Sequence, residues 1–159
     1  MRPVRTRRRV LESLAKTKAL VAIKADSRLQ HHALCEAVLN QIEATLIAFI
    51  RQVGDAHGLK PEMVQSLADL TDQLSNRQLV SLESQKLNSL SINQDGWLAA
   101  FWAHRAEVWC PDEVPESDSD QIPMIDTSGL ERIKNDRYAD WVDELSDLVS
   151  EFQNRFDES

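Results

Sequence analysis

The sequence predicts an all-α fold, an antiparallel bundle of four to five main helices formed by residues 1–159 as one domain. The first reason is composition, because 42% of the 159 residues are hydrophobic and only four are glycine, which favours helix over sheet. The second reason is spacing, since apolar residues recur every three or four positions along most of the chain. The third is that no segment alternates between apolar and polar residues with the period of two typical of a half-buried strand.

The first two predicted helices cover residues 4–25 and 27–57. The first has one apolar stripe, formed by Val10, Leu14, Val21 and Ala25. Ser27 is placed to cap the second helix and Gly58 to end it. The second helix carries two adjacent stripes, as a central helix with two neighbours does. These are Leu34, Val38, Ile42, Thr45, Phe49 and Val53 in one stripe, and Cys35, Leu39, Leu46 and Ile50 in the other.

Three shorter helices are expected in the middle of the chain. A third helix should cover residues 60–76, and a short fourth one residues 78–90. Asn93 or Asp95 is expected to cap a tryptophan-rich fifth helix. Pro111 should stop that helix, because proline lacks the N–H group that a continuing helix needs.

An acidic segment separates these helices from the last one. Residues 111–128 contain three prolines and six acids, which predicts a mobile loop. The last helix should cover residues 135–157. Its apolar positions follow helical spacing most cleanly, at Tyr138, Trp141, Val142, Leu145, Leu148, Val149, Phe152 and Phe156.

Cysteine use and hydropathy indicate the compartment. Cys35 and Cys110 lie far apart and form no disulfide framework, so we expect two reduced thiols. No uninterrupted apolar run reaches the roughly 20 residues of a membrane-spanning helix, and no secretory signal is recognisable. The expectation is a bacterial cytoplasmic protein without a membrane partner.

Charge is divided unevenly along the chain. Residues 1–28 have nine Lys and Arg against two acids, a balance of +7, whereas residues 29–159 have nine against 24, a balance of −15. The arginines Arg2, Arg5, Arg7, Arg8 and Arg9 are either an arm for an anionic partner or internal partners of the later acidic helices. We favour internal pairing. Nucleic acid is not the partner that we expect, since the pI is about 5.0 and no aromatic residues interleave with the arginines.

Four residues at the start of the second helix have side chains that bind metals, namely His31, His32, Cys35 and Glu36. His31 and Cys35 are four residues apart, and so are His32 and Glu36, but a helix directs the two pairs about 100° apart. A transition metal requires three or four ligands. The pattern therefore offers two half-sites, and no metal or other cofactor is expected.

Arg51 and His57, near the end of the second helix, resemble the arginine–histidine signature of the HEPN class of helical-bundle ribonucleases. In such enzymes a cation and a proton-transfer group would act together on a phosphate. Here Gln52 follows the arginine where that signature has a small polar residue. Near the end of a helix, Arg and His also complement the helix dipole without any catalysis.

Four tryptophans follow helical spacing, at positions 97, 102, 109 and 141. At such spacing we expect them in the core. If Trp97 or Trp109 were exposed instead, it would mark a surface for contact with another protein.

The order of these features resembles an uncharacterised bacterial family known only as a domain of unknown function. The points of likeness are Arg5-Thr6, Ala37, Glu43, Trp97-Leu98, Ile122-Pro123-Met124-Ile125, Trp141, Leu145 and Phe152. The resemblance implies a helical protein and implies no activity or site.

No Ser-His-Asp set, phosphate-binding loop or Cys-x-x-Cys motif is present in the sequence. We therefore expect a non-enzymatic interaction or accessory protein with an unknown protein partner, and its wide apolar faces also allow a homo-oligomer. One alternative is a nucleic-acid-associated or RNA-cleaving protein that uses the N-terminal arginines or Arg51 and His57. A second is a small-ligand binder with a pocket among the tryptophans.

Overall fold

Six α-helices and a 3₁₀ turn form the fold in a computed structural model, which describes residues 4–110 and 135–158, with side chains from 137 onward in the second range. No strand occurs within these ranges, so the all-α prediction is confirmed. The predicted loop at 111–128 lies outside the described residues. In chain order the elements are α1 (Val4–Val21), α2 (Arg28–Ala56), the 3₁₀ turn (Pro61–Met63), α3 (Leu67–Asn76), α4 (Leu82–Ile92), α5 (Trp97–Trp109) and α6 (Asn135–Glu158).

The helix α1 ends four residues earlier than the sequence predicts. The N–H of Ile23 bonds to the carbonyl of Leu20 at 3.2 Å, a tight last turn that stops the helix. Ser27 then caps α2 as predicted, because its hydroxyl accepts a hydrogen bond from the Gln30 N–H at 3.1 Å. Ala25 therefore lies in the connection rather than on the apolar stripe of α1.

The helix α2 is the centre of the bundle. Every residue of its two predicted stripes is buried except Leu34, which is half-buried. Among the described helices, α2 is also long and apolar enough to cross a membrane, but half of its most apolar window is buried inside the fold. The core helix of a water-soluble bundle has the same length and composition, so this feature does not by itself indicate a membrane span.

A buried polar seam joins α1 to α2. The hydroxyls of Ser13 and Thr45 lie 2.7 Å apart, and the amide of Gln41 donates to the Ser13 hydroxyl at 2.8 Å. Thr17 completes the seam through its hydroxyl, 3.3 Å from that of Thr45. Ser13, Thr17 and Thr45 are fully buried. Since buried polar groups require partners, these bonds favour one register between the two helices.

The helix α6 packs along α2 in the same direction and against α1 in the opposite one. The rings of Phe49 and Phe152 stack with centroids 5.0 Å apart. Next to this stack, the side-chain amides of Gln52 and Gln153 exchange two hydrogen bonds of 3.1 and 2.9 Å. Both amides are buried, so the α2–α6 interface combines an aromatic stack with a paired polar contact.

The segment between α2 and α4 differs from the sequence prediction. One helix was expected over residues 60–76, but a 3₁₀ turn and a separate α3 occur instead. The separation follows from a cap, because the Ser66 hydroxyl accepts from the Asp69 N–H at 3.1 Å. In return, the Asp69 carboxylate accepts from the Gln65 N–H at 3.0 Å. Met63 is consequently exposed and does not join the core.

Two helices end on a residue in the left-handed conformation. Gly58 ends α2 with φ of 77°, as predicted, and Gln78 ends α3 with φ of 56°. After Gln78, the Leu79 N–H bonds back to the Leu74 carbonyl at 2.9 Å, the pattern of a Schellman motif. Gln78 is thus a side-chain-bearing residue at a position that favours glycine.

The start of α5 also differs from the prediction. The N-cap residue is Gly96, which has no side chain to accept a hydrogen bond. Asn93 instead ends α4, where its N–H bonds to the Ser89 carbonyl at 3.1 Å. Neither Asn93 nor Asp95 therefore caps α5.

Candidate functional site

The N-terminal arginines do not act as one group. Arg7 makes a two-pronged ion pair with Asp157 at the end of α6, at 2.7 and 3.0 Å. The hydrogen bond to Asp157 raises the pKa of the Arg7 guanidinium. Arg8 pairs with Glu12 on its own helix at 2.8 Å and thereby lowers the pKa of that carboxyl. Arg2 lies outside the described residues.

Arg5 and Arg9 face a different environment. Together with Arg51 they line an open groove of about 490 Å³ between α1, α2 and the 3₁₀ turn. Among the described residues, neither Arg5 nor Arg9 forms an ion pair, in contrast to Arg7 and Arg8. We call this feature the arginine groove; it is lined by Arg5, Thr6, Arg9, Ala44, Ile47, Ala48, Arg51 and Pro61.

The C-terminal end of α2 positions Arg51, the third arginine of the groove. The Nε of Arg51 donates to the carbonyl of Val64 at 2.9 Å, which leaves the terminal nitrogens as donors. Val64 comes this close because of Gly54, where a Cβ atom would lie 3.3 Å from the Val64 Cγ2. The hydroxyl of Thr6 donates to Asp55 at 2.7 Å and links α1 to the same end of α2.

Arg51 and His57 have separate roles in this arrangement. His57 is the C-cap of α2, and its backbone N–H bonds to carbonyls in the last turn. It is not among the residues that line the arginine groove. Arg51 thus lines the groove, whereas His57 caps the end of α2. Catalysis by this pair stays a hypothesis.

The four metal-binding residue types of α2 form two separate pairs, as their spacing indicates. His31 Nε2 lies 3.6 Å from Cys35 Sγ. His32 Nδ1 lies 3.7 Å from a carboxylate oxygen of Glu36. Within the described part of the chain, no three His, Cys, Asp or Glu residues come together as metal ligands would.

A buried chain of titratable groups connects α2, α6 and α5, and the sequence analysis did not identify it. The Tyr138 hydroxyl lies 2.7 Å from His104 Nε2, and Tyr138 and Cys35 border the same small cavity. Burial raises the pKa of Cys35 to about 11, raises the pKa of Tyr138 and lowers the pKa of His104. All three groups are therefore uncharged at neutral pH, which suits a structural contact better than a nucleophile.

The cavity beside this chain is small. It has a volume of about 30 Å³ and is bordered by His31, Cys35, Tyr138 and apolar residues of α1 and α2. Such a space holds a water molecule and excludes an organic ligand.

The tryptophans divide between core and surface. Trp141 is buried and Trp97 is half-buried against the core. Trp102 and Trp109 are 39% and 45% exposed, so the core expectation is wrong for these two. Because Trp109 is exposed, it marks a candidate surface for contact with another protein.

Arg105 contacts the rings of both exposed tryptophans. Its guanidinium carbon lies 5.7 Å from the centre of the Trp102 ring and 5.6 Å from that of Trp109. The Nη2 of Arg105 pairs with a carboxylate oxygen of Glu43 on α2 at 2.6 Å. Below this layer, Phe101 packs edge-on against Trp102, with ring centres 5.0 Å apart. We call Trp102, Arg105 and Trp109 the α5 face.

Comparison with known proteins identifies one family. Residues 10–159 match the family model described as a family of unknown function, DUF6586. No curated protein and no solved structure matches the chain. The matched range includes the α5 face and Arg51, whereas Arg5 and Arg9 precede it.

Proposed function

Since the chain belongs to this family of unknown function, we propose a role from its geometry: it is a non-enzymatic interaction protein that binds another polypeptide through the α5 face. The observation that carries the proposal is the pair of exposed tryptophans whose rings both contact Arg105. We place this role in the bacterial cytoplasm. Both cysteines of the described residues are free, which suits a reducing compartment.

The composition of α5 supports a contact with a partner. This helix is apolar on every side, with Arg105 and Glu107 as its only charged residues. Only Leu98 and Phe101 are buried within the fold. A helix that is apolar all round is stable in water when it is covered, so the face that the described residues leave exposed suits an interface.

The α5 face also has the properties of an interaction hot spot. Tryptophan and arginine are the residue types most enriched at such positions, where a few rigid side chains provide most of the binding energy. The ion pair with Glu43 and the packing on Phe101 fix the side chains before binding. Less conformational entropy is then lost when a partner binds. The partner should present apolar side chains, because Glu43 already compensates the charge of Arg105.

The proposal is tested by placing a photo-crosslinking amino acid at Trp109 in a bacterial host. Leu11 on α1 is the matched control, because its exposed fraction is also 45%. We expect irradiation to yield one or a few specific adducts from position 109 and none of these from position 11. Mass spectrometry of the adducts distinguishes a second copy of this chain from another protein.

The interaction is then measured with the purified partner. Trp102→Ala is expected to weaken binding at least about tenfold, since hot-spot truncations cost of the order of 2 kcal/mol. Leu11→Ala should leave the affinity unchanged. Identical adducts from both positions, or unchanged affinity after Trp102→Ala in a folded variant, would refute the assignment to the α5 face.

A further inference from the structure

We propose that the arginine groove binds a small amphipathic anion, with a phosphate or carboxylate head held by Arg5, Arg9 and Arg51 and an apolar body against α2 and Pro61. This site is separate from the α5 face and does not depend on the role proposed for that face. Its basis is the combination of three arginines that line one groove, an apolar remainder of the lining and a volume suited to a small molecule.

The first argument is charge pairing. The chain has 26 acidic residues against 18 basic ones, so carboxylates are in excess. Arg7 and Arg8 each have a carboxylate partner at 2.7 to 2.8 Å. Arg5 and Arg9 lie on the same helix and have none among the described residues. The arginines that line the groove are thus those left available to an external anion.

The second argument is the electrostatic cost of this arrangement. Arg5 and Arg9 lie one turn apart on one face of α1, where like charges repel. The first turn of α1 contains no acidic residue. The free N–H groups at the start of a helix carry partial positive charge, which disfavours cations and favours anions. An anion in the groove would relieve both effects.

The third argument is the apolar remainder of the lining. Ala44, Ile47 and Ala48 from α2 and Pro61 from the 3₁₀ turn contribute no charged group. The volume of about 490 Å³ lies within the range typical of small-molecule sites. A bare inorganic anion would leave this apolar surface in water, whereas a ligand with an apolar body covers it.

The shape of the basic surface favours a small molecule over nucleic acid. A nucleic-acid strand needs cations along an extended path. Next to the groove, Arg7 and Arg8 are already paired with Asp157 and Glu12, so these two arginines do not extend the basic surface of the groove along α1. RNA binding is therefore an outcome that would contradict the proposal.

Isothermal titration calorimetry of the full chain with four probes tests the two halves of the ligand. Octyl phosphate and octanoate carry both head and tail, inorganic phosphate carries the head alone, and octanol carries the tail alone. We expect octyl phosphate or octanoate to bind at least about tenfold more tightly than either half, because one buried methylene is worth roughly fourfold in affinity. Which of the two binds more tightly identifies the head group.

Charge-neutral variants locate the site. Arg5→Gln and Arg9→Gln are each expected to raise the Kd of the better probe at least about tenfold, the lower end of the effect of losing one hydrogen bond to a charged group. Arg8→Gln is the matched control, since it removes the same charge from the same helix outside the groove, and should change Kd less than about twofold. Arg5 and Arg9 are exposed, so we expect both variants to fold, and circular dichroism checks this.

Four results would overturn the proposal. These are no binding of either amphipathic probe, inorganic phosphate binding as tightly as octyl phosphate, an equal loss of affinity in Arg8→Gln and Arg9→Gln, and a single-stranded RNA that binds where the amphipathic probes do not. Filling the groove with Ala44→Leu gives an independent check. This variant should bind the probe that carries a tail more weakly than the wild type does, and its melting temperature should stay close to that of the wild type.

Discussion

Replacement of Gln52 by methionine tests how the α2–α6 interface is held. Gln52 is 0% exposed and Gln153 6% exposed, and their amides satisfy each other through two hydrogen bonds. Methionine has nearly the same length and volume, so Gln52→Met leaves little cavity. It removes both hydrogen bonds and leaves the amide of Gln153 buried without this partner.

The expected loss in the free energy of unfolding follows from these contacts. Two neutral hydrogen bonds contribute about 1 kcal/mol each, and an orphaned buried amide costs about 1–3 kcal/mol. Because the methionine gains some hydrophobic burial, we expect a net loss of about 2–3 kcal/mol in the free energy of unfolding. For a domain of this size, such a loss lowers the melting temperature by roughly 5–10 °C.

Urea denaturation of a double-mutant cycle is the appropriate assay. Gln52→Met and Gln153→Met should each destabilise the fold, whereas the double variant should lie within about 1 kcal/mol of the wild type, because replacing both partners leaves no orphaned group. Gln85→Met, at an exposed position of α4, is the control. The reasoning is refuted if the single variants lose less than about 0.5 kcal/mol each, or if the double variant loses the sum of both.

Three further predictions concern individual residues. Gln78→Gly should raise the free energy of unfolding by about 0.5–1 kcal/mol in urea titrations, because glycine adopts the φ of 56° without strain. Burial lowers the pKa of His104, so its contribution to stability is complete above about pH 6.5, the pKa in the unfolded chain, and is lost as pH falls below it. His104→Asn should therefore lose less stability than the wild type between about pH 7 and pH 5, measured by urea titrations at each pH. A thiol reagent at about pH 8 should modify Cys110 quickly and Cys35 only after unfolding, since Cys35 is buried with a pKa of about 11. Cys110→Ser should remove the fast phase of the reaction. A fast phase that remains in this variant would contradict the assignment of that phase to Cys110.

The bounds of a helix with a regular apolar pattern could be predicted from the sequence. The bounds of a helix whose start depends on a capping residue were harder to predict. The last helix was expected at residues 135–157 and is Asn135–Glu158, because its apolar residues follow one face without interruption. The third helix was expected to start at Lys60, because Met63 continues the spacing of Leu67 and Leu70. Its true start depends on the reciprocal bonds of Ser66 and Asp69, which compete with helical spacing over only a few residues.

The candidate sites depend on contacts between helices, which the sequence determines only in part. Helical spacing alone places Arg5 and Arg9 on one face of α1, four residues apart. Bringing Arg51 to the same groove requires the register of α1 against α2, and the apolar pattern of either helix does not specify it. The pairing of Arg7 with Asp157 likewise requires knowing that α6 runs beside α1, across 150 residues of sequence. The buried chain from Cys35 to His104 was missed for the same reason.

The polar seam supplies this register and thereby connects stability to the proposed groove. Apolar stripes tolerate sliding of one helix along another, since a leucine packs against many neighbours. The Ser13 hydroxyl bonds to Thr45 and Gln41 in the observed alignment, and a shift by one turn would separate it from both partners. In that alignment the Thr6 hydroxyl donates to Asp55, and Arg5, Arg9 and Arg51 line one groove. The polar residues Ser13 and Thr17 therefore determine where Arg5 and Arg9 lie relative to α2. Substitutions in the seam should change the affinity of the groove for an anion although the seam residues do not line the groove.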